Sequence, residues 1–210
     1  MRLSSSFSVP VGPDRVFAHF VDADTMRACV PGCVELERTD EHRFRGRLVN
    51  EVAHVRFSAG FTAEITELAG DERIRAVLRG EDRQLGSSIR IDTALSLRAA
   101  GDGRGALVDF DMDMALWGKI GRLGESIVRR RSEEVERQFV ADFRRACAAG
   151  PPGRDNAVVR ELLGGAAARQ RRPERRRPRW TGLPSRLARL FRRRTRRQAP
   201  PTGRTGAARR

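Results

Sequence analysis

The chain between residues 42 and 117 alternates between apolar and polar positions. Over residues 53–66 the odd positions are apolar and most even positions are polar, which predicts a β-strand with one dry face and one wet face. Further segments repeat this period of two, and turn signals separate them. The pattern therefore predicts antiparallel strands that each bury one face. The other strand segments are residues 42–50, 74–78, 89–97 and 108–116, and the turn signals are residues 70–72, 80–88 and 99–105.

A short strand and one or two helices are predicted before this region, and a long helix is predicted after it. Residues 6–11 alternate like a strand, and Pro13 and Asp14 then start one or two short helices. Over residues 119–148 apolar side chains recur on one stripe, which predicts a single long helix. Six or seven one-sided strands expose more apolar surface than one helix covers. We therefore expect an α+β fold, in which a curled antiparallel sheet of six or seven strands surrounds the long C-terminal helix and leaves a hollow between them.

Charge divides the chain into two parts. Residues 151–210 hold 19 arginines and three acids, whereas residues 1–150 hold 23 bases and 24 acids. A surplus confined to one end is typical of a tether rather than of a binding face on a fold. The sequence GPPG at residues 150–153 is expected to end a folded domain of residues 1–150. An arginine-rich linker over 151–178 and a basic, amphipathic, largely disordered tail over 179–210 are expected to follow.

Two segments carry a family resemblance. The segment FSVPVGPDRVFAHFVDADTMRACVPGCVELE contains a Pro-Gly-Cys turn at residues 31–33, and FDMDMALWGKIGRLGESIV carries three spaced glycines. In this order and at this distance, the segments resemble the CoxG family of carbon monoxide dehydrogenase subunits over residues 5–148. That family belongs to the START and Bet v 1 (SRPBCC) superfamily, so the resemblance implies a helix-grip fold. The three glycines are Gly118, Gly121 and Gly124.

The resemblance also implies a function. It implies a non-catalytic accessory protein that holds a molybdenum hydroxylase of the carbon monoxide dehydrogenase type near the membrane and handles membrane quinone, with no cofactor of its own. We expect a cytoplasmic protein, because the sequence shows no signal-peptide pattern, no run of about 20 apolar residues and only three cysteines. The resemblance adds a position at the inner face of the cell membrane. The sequence departs from the family at Asn50 and Glu51, where a glycine-rich turn is expected.

The inward-facing residues of the predicted sheet form an apolar wall that includes two methionines. Flexible thioethers adapt to guests of varied shape, so these positions predict a cavity for a hydrophobic small molecule such as a quinone or a lipid. Apolar residues near the start of the last helix are expected to complete it. The expected cavity residues are Phe44, Phe57, Phe61, Phe110, Met112, Met114, Leu116, Leu123 and Ile127.

Three further patterns are weaker candidates for chemistry. Cys29 and Cys33 resemble half of a zinc site whose other half is missing, and we interpret them as structural. The segment GKIGRLG at residues 118–124 lacks the βαβ context of a phosphate-binding loop. Its glycines are expected to let the helix start pass close to the sheet, or to leave room for a ligand. The aspartates of residues 109–113 alternate with apolar residues, so they belong to the wet face of a strand. Neither a metal site nor a catalytic residue is expected.

Near the end of the chain, leucines recur at i, i+4 and i+7 among arginines. This pattern is typical of a helix that lies on an anionic membrane. Two other functions stay open. The arginines are also compatible with nucleic-acid binding, although that needs no apolar stripe, and Asn50 is the one polar cavity residue that a polyketide-cyclase-like enzyme could use. The expected membrane-binding residues are Trp180, Leu183, Leu187, Leu190, Phe191, Arg186, Arg189, Arg192, Arg193 and Arg194.

Overall fold

The computed structural model describes residues 1–101 and 103–171. These residues form seven strands and five helices. The strands are β1 (Arg2–Val9), β2 (Cys33–Arg38), β3 (Arg43–Val52), β4 (Val55–Ala69), β5 (Arg73–Asp82), β6 (Ser87–Ala99) and β7 (Ala106–Trp117). The helices are α1 (Pro13–Val21), α2 (Ala23–Cys29), α3 (Gly118–Gly121), α4 (Glu125–Ala149) and α5 (Ala157–Arg171).

The seven strands form one antiparallel sheet in the order β1-β7-β6-β5-β4-β3-β2. Phe57, Ala59 and Phe61 on β4 are buried, as are Ala106 and Val108 on β7, whereas the residues between them on β4 are exposed. The buried residues of β4 belong to the apolar set that the alternation predicts, and on β7 the predicted apolar set begins with the buried Val108. The curled seven-stranded sheet with its long helix confirms the predicted α+β fold class.

The hairpin between β3 and β4 turns through Ala53 and His54. Val52 and Val55 pair on either side of the turn, and both turn residues have positive φ, at 47° and 67°. Two consecutive positive φ values define a type I′ turn, which usually contains glycine or asparagine. Alanine and histidine therefore adopt the left-handed conformation here, although the family resemblance predicts glycine in this region. Asn50 lies before the turn, within β3.

The two short helices begin where the sequence places their start signals. Pro13 is the first residue of α1, a position where its missing N–H costs no hydrogen bond. Asp22 separates α1 from α2 and caps α2, because its Oδ1 accepts the N–H of Thr25 at 2.7 Å. Val16 of α1 is completely buried. The two helices therefore form part of the core and are not a surface attachment.

The segment predicted as one helix over residues 119–148 is two helices. The single turn α3 ends at Gly121, and α4 begins at Glu125. Gly124 lies between them with φ +88°, in the left-handed region that glycine adopts without steric cost. The long helix α4 is thus present, but it starts six residues later than the apolar stripe indicates.

The helix α5 extends the fold beyond the expected domain end at residue 150. Asn156 caps it by accepting the first free N–H groups of the helix, and its Nδ2 donates to the carbonyl of Ala146 in α4 at 2.9 Å. Val159 is completely buried, and α5 packs against α2 and α4. The compact unit runs to Arg172, so the expected boundary and the first part of the expected linker fall inside it.

Candidate functional site: a hollow on the inner face of the sheet

The inner face of the sheet is covered at both of its ends. At one end, α1, α2, α4 and α5 bury a large core cluster that includes Val108 of β7 and Phe143 of α4. At the other end, Phe57 of β4 and Ile120 of α3 belong to a small cluster against which Leu116 of β7 packs. Since β7 runs from the first cluster to the second, its middle residues lie between two packed regions.

Between the clusters, the inner face is only partly covered. Three middle residues of β7 and the β6 partners of two of them are half-buried, although they occupy the centre of the face, whereas Leu95, the partner of Phe110, is buried. In a filled core the central side chains are fully buried, so partial exposure here indicates space above them. We call these five residues the central band: Phe110, Met112 and Met114 on β7, and Ile91 and Thr93 on β6.

A pocket of about 320 Å³ opens at one end of the central band. Its lining is mixed: the apolar part includes Met114, Leu116 and Trp117 of β7 and Val128 of α4, and the polar part consists of the N-terminal Met1, Asp113 and Glu125, with Gly121 and Gly124 beside them. Strand β1 pairs with β7 as far as Arg2 opposite Asp113, and Met1 exchanges two backbone hydrogen bonds of 2.8 Å with Met114, so β1 leaves β7 uncovered only beyond Met114. The volume lies at the lower end of the range for small-molecule pockets.

Glycines allow α3 to lie directly against the strands beside this pocket. A Cβ atom at Gly118 would collide with the carbonyl oxygen of Gly86, and one at Gly121 would lie 2.6 Å from the carbonyl oxygen of Leu116. Neither position can take a side chain unless the backbone shifts. The spacing of these glycines therefore serves the close approach of helix and sheet, which is one of the two interpretations that the sequence allows.

One polar group on α4 reaches the inner side of the sheet. Arg131 donates to Oδ1 of Asn50 from Nε at 3.1 Å and from Nη2 at 2.5 Å, and its Nη1 donates to Glu134 at 3.0 Å. Asn50 pairs with the buried Phe57 across β3 and β4, which places it on the inner face. The sequence indicates Asn50 but not Arg131, because an arginine on a helix rich in arginines gives no signal of its own.

The Pro-Gly-Cys turn of residues 31–33 lies beside Asn50. The carbonyl of Gly32 accepts the N–H of Val49 at 2.8 Å, and Gly32 has φ +84°. A Cβ atom at Gly32 would collide with the Val49 carbonyl and would lie 3.4 Å from Nδ2 of Asn50. This family motif therefore positions the strand segment that carries Asn50.

The expected cavity residues differ in their position and exposure. The seven strand residues lie on the inner face, and Leu123 is half-buried between α3 and α4. Ile127 is different, since its side chain is 40% exposed while the adjacent Val128 is buried and lines the pocket. The interruption at Gly124 resets the helical phase, so the inward position is Val128. The seven strand residues are Phe44, Phe57, Phe61, Phe110, Met112, Met114 and Leu116.

A larger depression of about 420 Å³ is lined mainly by outer-face residues of β5, β6 and β7, and Thr93 and Met112 of the central band also contribute to it. Its charged residues already have partners: Arg75 contacts Glu67 at 3.1 Å, and Asp92 contacts Arg90 at 2.8 Å. The aspartates of β7 also lie there, as the alternation predicts. The smaller pocket also contains charged residues, Asp113 and Glu125, but it adjoins Met114, Leu116 and Val128, which face the helix side of the sheet. It is therefore the better candidate for a guest over the central band.

All three cysteine thiols are buried. Burial raises the pKa of Cys29, Cys33 and Cys147 to about 12 each, so all three are protonated thiols at neutral pH. Cys33 also donates its S–H to the carbonyl of Glu35 at 3.4 Å. Within residues 1–101 and 103–171, no group of three or more His, Cys, Asp or Glu side chains is placed to hold a metal ion.

His19 joins α1 to the end of α4. It is completely buried, its Nε2 donates to the carbonyl of Gly150 at 3.1 Å, and its ring meets Phe143 edge-on at 6.1 Å between centroids. Nδ1 has no hydrogen-bond partner in the described part of the chain. Burial lowers the pKa of His19, because the charged ring would lose its hydration. The neutral imidazole is therefore the form that this site holds.

The curled antiparallel sheet, the long helix and the hollow between them define the helix-grip class of proteins. A conserved protein from Geobacillus kaustophilus is similar, with 16% identity, a TM-score of 0.65, and coverage of 70% of this chain and 95% of that one. A START superfamily protein from Mycobacterium smegmatis has 13% identity, a TM-score of 0.53, and coverage of 67% and 92%. The family model of the carbon monoxide dehydrogenase subunits called CoxG matches residues 5–148, and the chain belongs to this family. A comparison with curated protein sequences gives no match.

The expected membrane-binding residues, from Trp180 to Arg194, lie outside the residues that the structure describes. Among the helices that it does describe, none is both long enough and apolar enough to cross a membrane.

Proposed function

We propose that this protein is a non-catalytic accessory protein that carries a hydrophobic small molecule, such as a quinone or a lipid, in the hollow over the central band. Its CoxG family membership and its helix-grip fold support a hydrophobic-ligand-binding accessory role. The observation that carries the proposal is the half-buried central band between two packed core clusters. An apolar ligand over this band would bury surface that the protein alone leaves open to water.

The β7 side and the β3 side of the hollow differ in polarity, and this difference favours an amphipathic guest. The methionines of β7 offer an adaptable apolar wall, whereas Arg131 is the polar group on the α4 side. A guanidinium has five N–H donors, and Asn50 and Glu134 accept three hydrogen bonds from this one. A ligand with an apolar body and a carbonyl or carboxylate group matches this arrangement.

Mass spectrometry of organic extracts tests the proposal. The freshly purified protein should yield an isoprenoid quinone or a lipid in roughly molar amount, and Met114→Asp should yield much less because a carboxylate would face the apolar guest. Asp111→Asn, a change on the outer face of the same strand, serves as the matched control and should retain the guest. Extracts that contain no hydrophobic compound would leave only the adaptor role.

The basic tail is proposed to bring this domain to the inner face of the cell membrane. Leu183, Leu187, Leu190 and Phe191 would enter the acyl boundary, Trp180 would lie at the headgroup level, and the arginines would lie over anionic lipid. Full-length protein should therefore sediment with vesicles that contain phosphatidylglycerol, and a chain that ends at Arg172 should sediment less.

Two charge-matched variants separate the apolar stripe from the charge. Leu187→Asp with Leu190→Asp removes apolar surface and adds two negative charges, whereas Thr195→Asp with Gln198→Asp adds the same charge and leaves the stripe intact. Only the first pair should abolish vesicle binding. Equal losses in both pairs, together with binding to duplex DNA of the same strength, would replace the membrane proposal with a polyanion-binding arm.

A molybdenum hydroxylase of the carbon monoxide dehydrogenase type is the partner that family membership favours. Affinity purification of the tagged protein from its native cells should recover the hydroxylase subunits, and recovery should survive nuclease treatment.

The polyketide-cyclase-like alternative depends on Asn50, since this is the polar cavity residue that the sequence offers such an enzyme. Its side-chain oxygen is engaged by Arg131. Neither an amide nor a guanidinium serves readily as a general acid or base at neutral pH. The pair is therefore better suited to ligand recognition than to acid–base catalysis.

A further inference from the structure

The rim of the pocket exposes apolar side chains. Trp117, at the end of β7, is 51% exposed, and Ile127, in the first turn of α4, is 40% exposed. Trp117 lines the pocket, and Ile127 is adjacent to the pocket residue Val128. Exposed tryptophan and isoleucine beside the opening of a pocket indicate a surface that is covered in use.

Basic residues surround these two side chains. Lys119, Arg122 and Arg130 are exposed, and residues 117–130 contain Glu125 as their single acid. Glu125 is bound to Arg129 at 2.8 Å, and Asp113 faces Arg2 at 3.9 Å and the N-terminal amine at 3.7 Å. Arg130 lies 3.8 Å from Glu134, so Lys119 and Arg122 supply most of the positive charge of the rim. The rim therefore presents unbalanced positive charge to any partner.

We propose that this rim docks on an anionic lipid bilayer, with the pocket opening towards the lipid. The docking face consists of Trp117, Lys119, Arg122, Ile127 and Arg130. Tryptophan is favoured at the headgroup level, aliphatic side chains enter the acyl boundary, and cations bind anionic headgroups. Like charge disfavours the chain's own tail as the occupant, since residues 172–210 hold 15 arginines and one acid.

The inference rests on the proposed carrier function, because docking in this orientation lets a hydrophobic guest pass between bilayer and hollow without crossing water. It differs from tail binding in what it requires. A tail alone would tether the domain without fixing its orientation, whereas rim docking places Trp117 in contact with lipid.

Fluorescence of Trp117 in the full-length chain tests the inference. Trp180→Phe leaves Trp117 as the single tryptophan. On phosphatidylglycerol vesicles, its emission should shift to shorter wavelengths and should be quenched by brominated acyl chains, whereas phosphatidylcholine vesicles should cause neither change. Lys119, the single lysine of the chain, should also become protected from an amine-reactive reagent.

Charge reversal supplies matched variants for the same experiment. In the Trp180→Phe background, Lys119→Glu with Arg122→Glu should abolish the spectral shift. Arg137→Glu with Arg160→Glu changes two exposed bases elsewhere by the same charge and should preserve the shift. Circular dichroism establishes that both variants are folded.

Unchanged Trp117 emission in protein that has fully sedimented with the vesicles would overturn the inference, since the tail alone would then hold the domain. Uptake of a fluorescent fatty acid without vesicles is measured in parallel. Normal uptake with no Trp117 shift would refute docking and leave the carrier function intact. A Trp117 shift with no uptake would refute the carrier function and support the docking face.

Discussion

Arg131 of α4 holds the side-chain oxygen of Asn50 on β3 with two N–H groups. On the other side of the helix, Arg144 donates to the carbonyl of Ser8 in β1 at 2.6 Å. The long helix is therefore attached to strands near both edges of the sheet. These contacts fix the distance between α4 and the sheet where the hollow lies.

A double-mutant cycle on Asn50 and Arg131 should reveal their coupling. Asn50→Ala removes the acceptor of two hydrogen bonds from a half-buried guanidinium, and we expect a coupling free energy of about 1 kcal/mol in urea unfolding. Arg130→Ala, at a position whose side chain is 85% exposed, is the control and should change stability by less than about 0.5 kcal/mol. Additive effects of Asn50→Ala and Arg131→Ala would show that the contact does not hold the helix.

A chain that ends at Arg172 should be more stable than one that ends at Gly150. The shorter chain loses α5 with its completely buried Val159, and burial of a valine side chain is worth about 1.5–3 kcal/mol. Thermal unfolding of the two truncations measures the difference. Asn156→Ala in the longer chain should reproduce part of the loss, about 1 kcal/mol, by removing the cap, whereas Arg160→Ala on the exposed side should not. Equal melting temperatures for the two truncations would mean that α5 contributes nothing to the fold.

The strands could be predicted from the sequence because burial on one face leaves a period of two. Phe57, Ala59 and Phe61 show this directly, since each is apolar, each is buried, and the residues between them are exposed. The glycines of the α3 region could also be recognised, but their separate roles could not. Gly118 has φ +76° and also prevents a collision with the backbone at the start of β6, whereas Gly124, with φ +88°, is needed for its backbone conformation alone.

One feature of the fold, the helix α5, and one feature of the site, the direction of Arg131, could not be predicted, for different reasons. GPPG and the rise in charge place the boundary at residue 150, but the buried face of α5 depends on Val159 meeting α2 and α4, which are distant in sequence. Asn156 is the residue from which the start of α5 could have been predicted, since an asparagine before an apolar run is a common helix cap. The inward direction of Arg131 depends on where α4 starts, and Gly124 sets that start.

The stability of the protein should fall at mildly acidic pH through His19. Burial lowers its pKa in the folded state below the ordinary value of 6.5, so the unfolded chain binds the proton more readily. The stabilisation from neutral His19 is therefore complete above about pH 6.5 and is lost as the pH falls towards the lowered pKa. Nearby Asp22 opposes the shift and Arg15 reinforces it, but burial is the largest cause.

Urea unfolding of the parent and His19→Gln between pH 8 and pH 5 checks this effect. The difference in stability between the two proteins should shrink as the pH falls. His54→Gln serves as the control, because that side chain is 99% exposed. A difference that does not change with pH would mean that His19 does not titrate in this range.

The three thiols should be unreactive in the folded protein. Cys29, Cys33 and Cys147 are buried and each has a pKa of about 12, whereas the thiolate is the form that reacts. Ellman's reagent should therefore detect almost no thiol at pH 8 in buffer and all three in denaturant. Rapid reaction of any cysteine in the native protein would show that it is accessible, and would reopen a redox or metal-binding role.

Titration with dansylaminoundecanoic acid tests most directly whether the hollow over the central band binds a hydrophobic guest. The parent domain should bind one equivalent with enhanced dansyl emission. Met112→Asp and Met114→Asp should each weaken binding at least tenfold, a loss of about 1.4 kcal/mol, because a carboxylate would replace apolar surface facing the guest. Asp111→Asn, on the outer face of the same strand, should bind like the parent. If the two methionine variants fold and bind as tightly as the parent, the guest does not occupy this hollow.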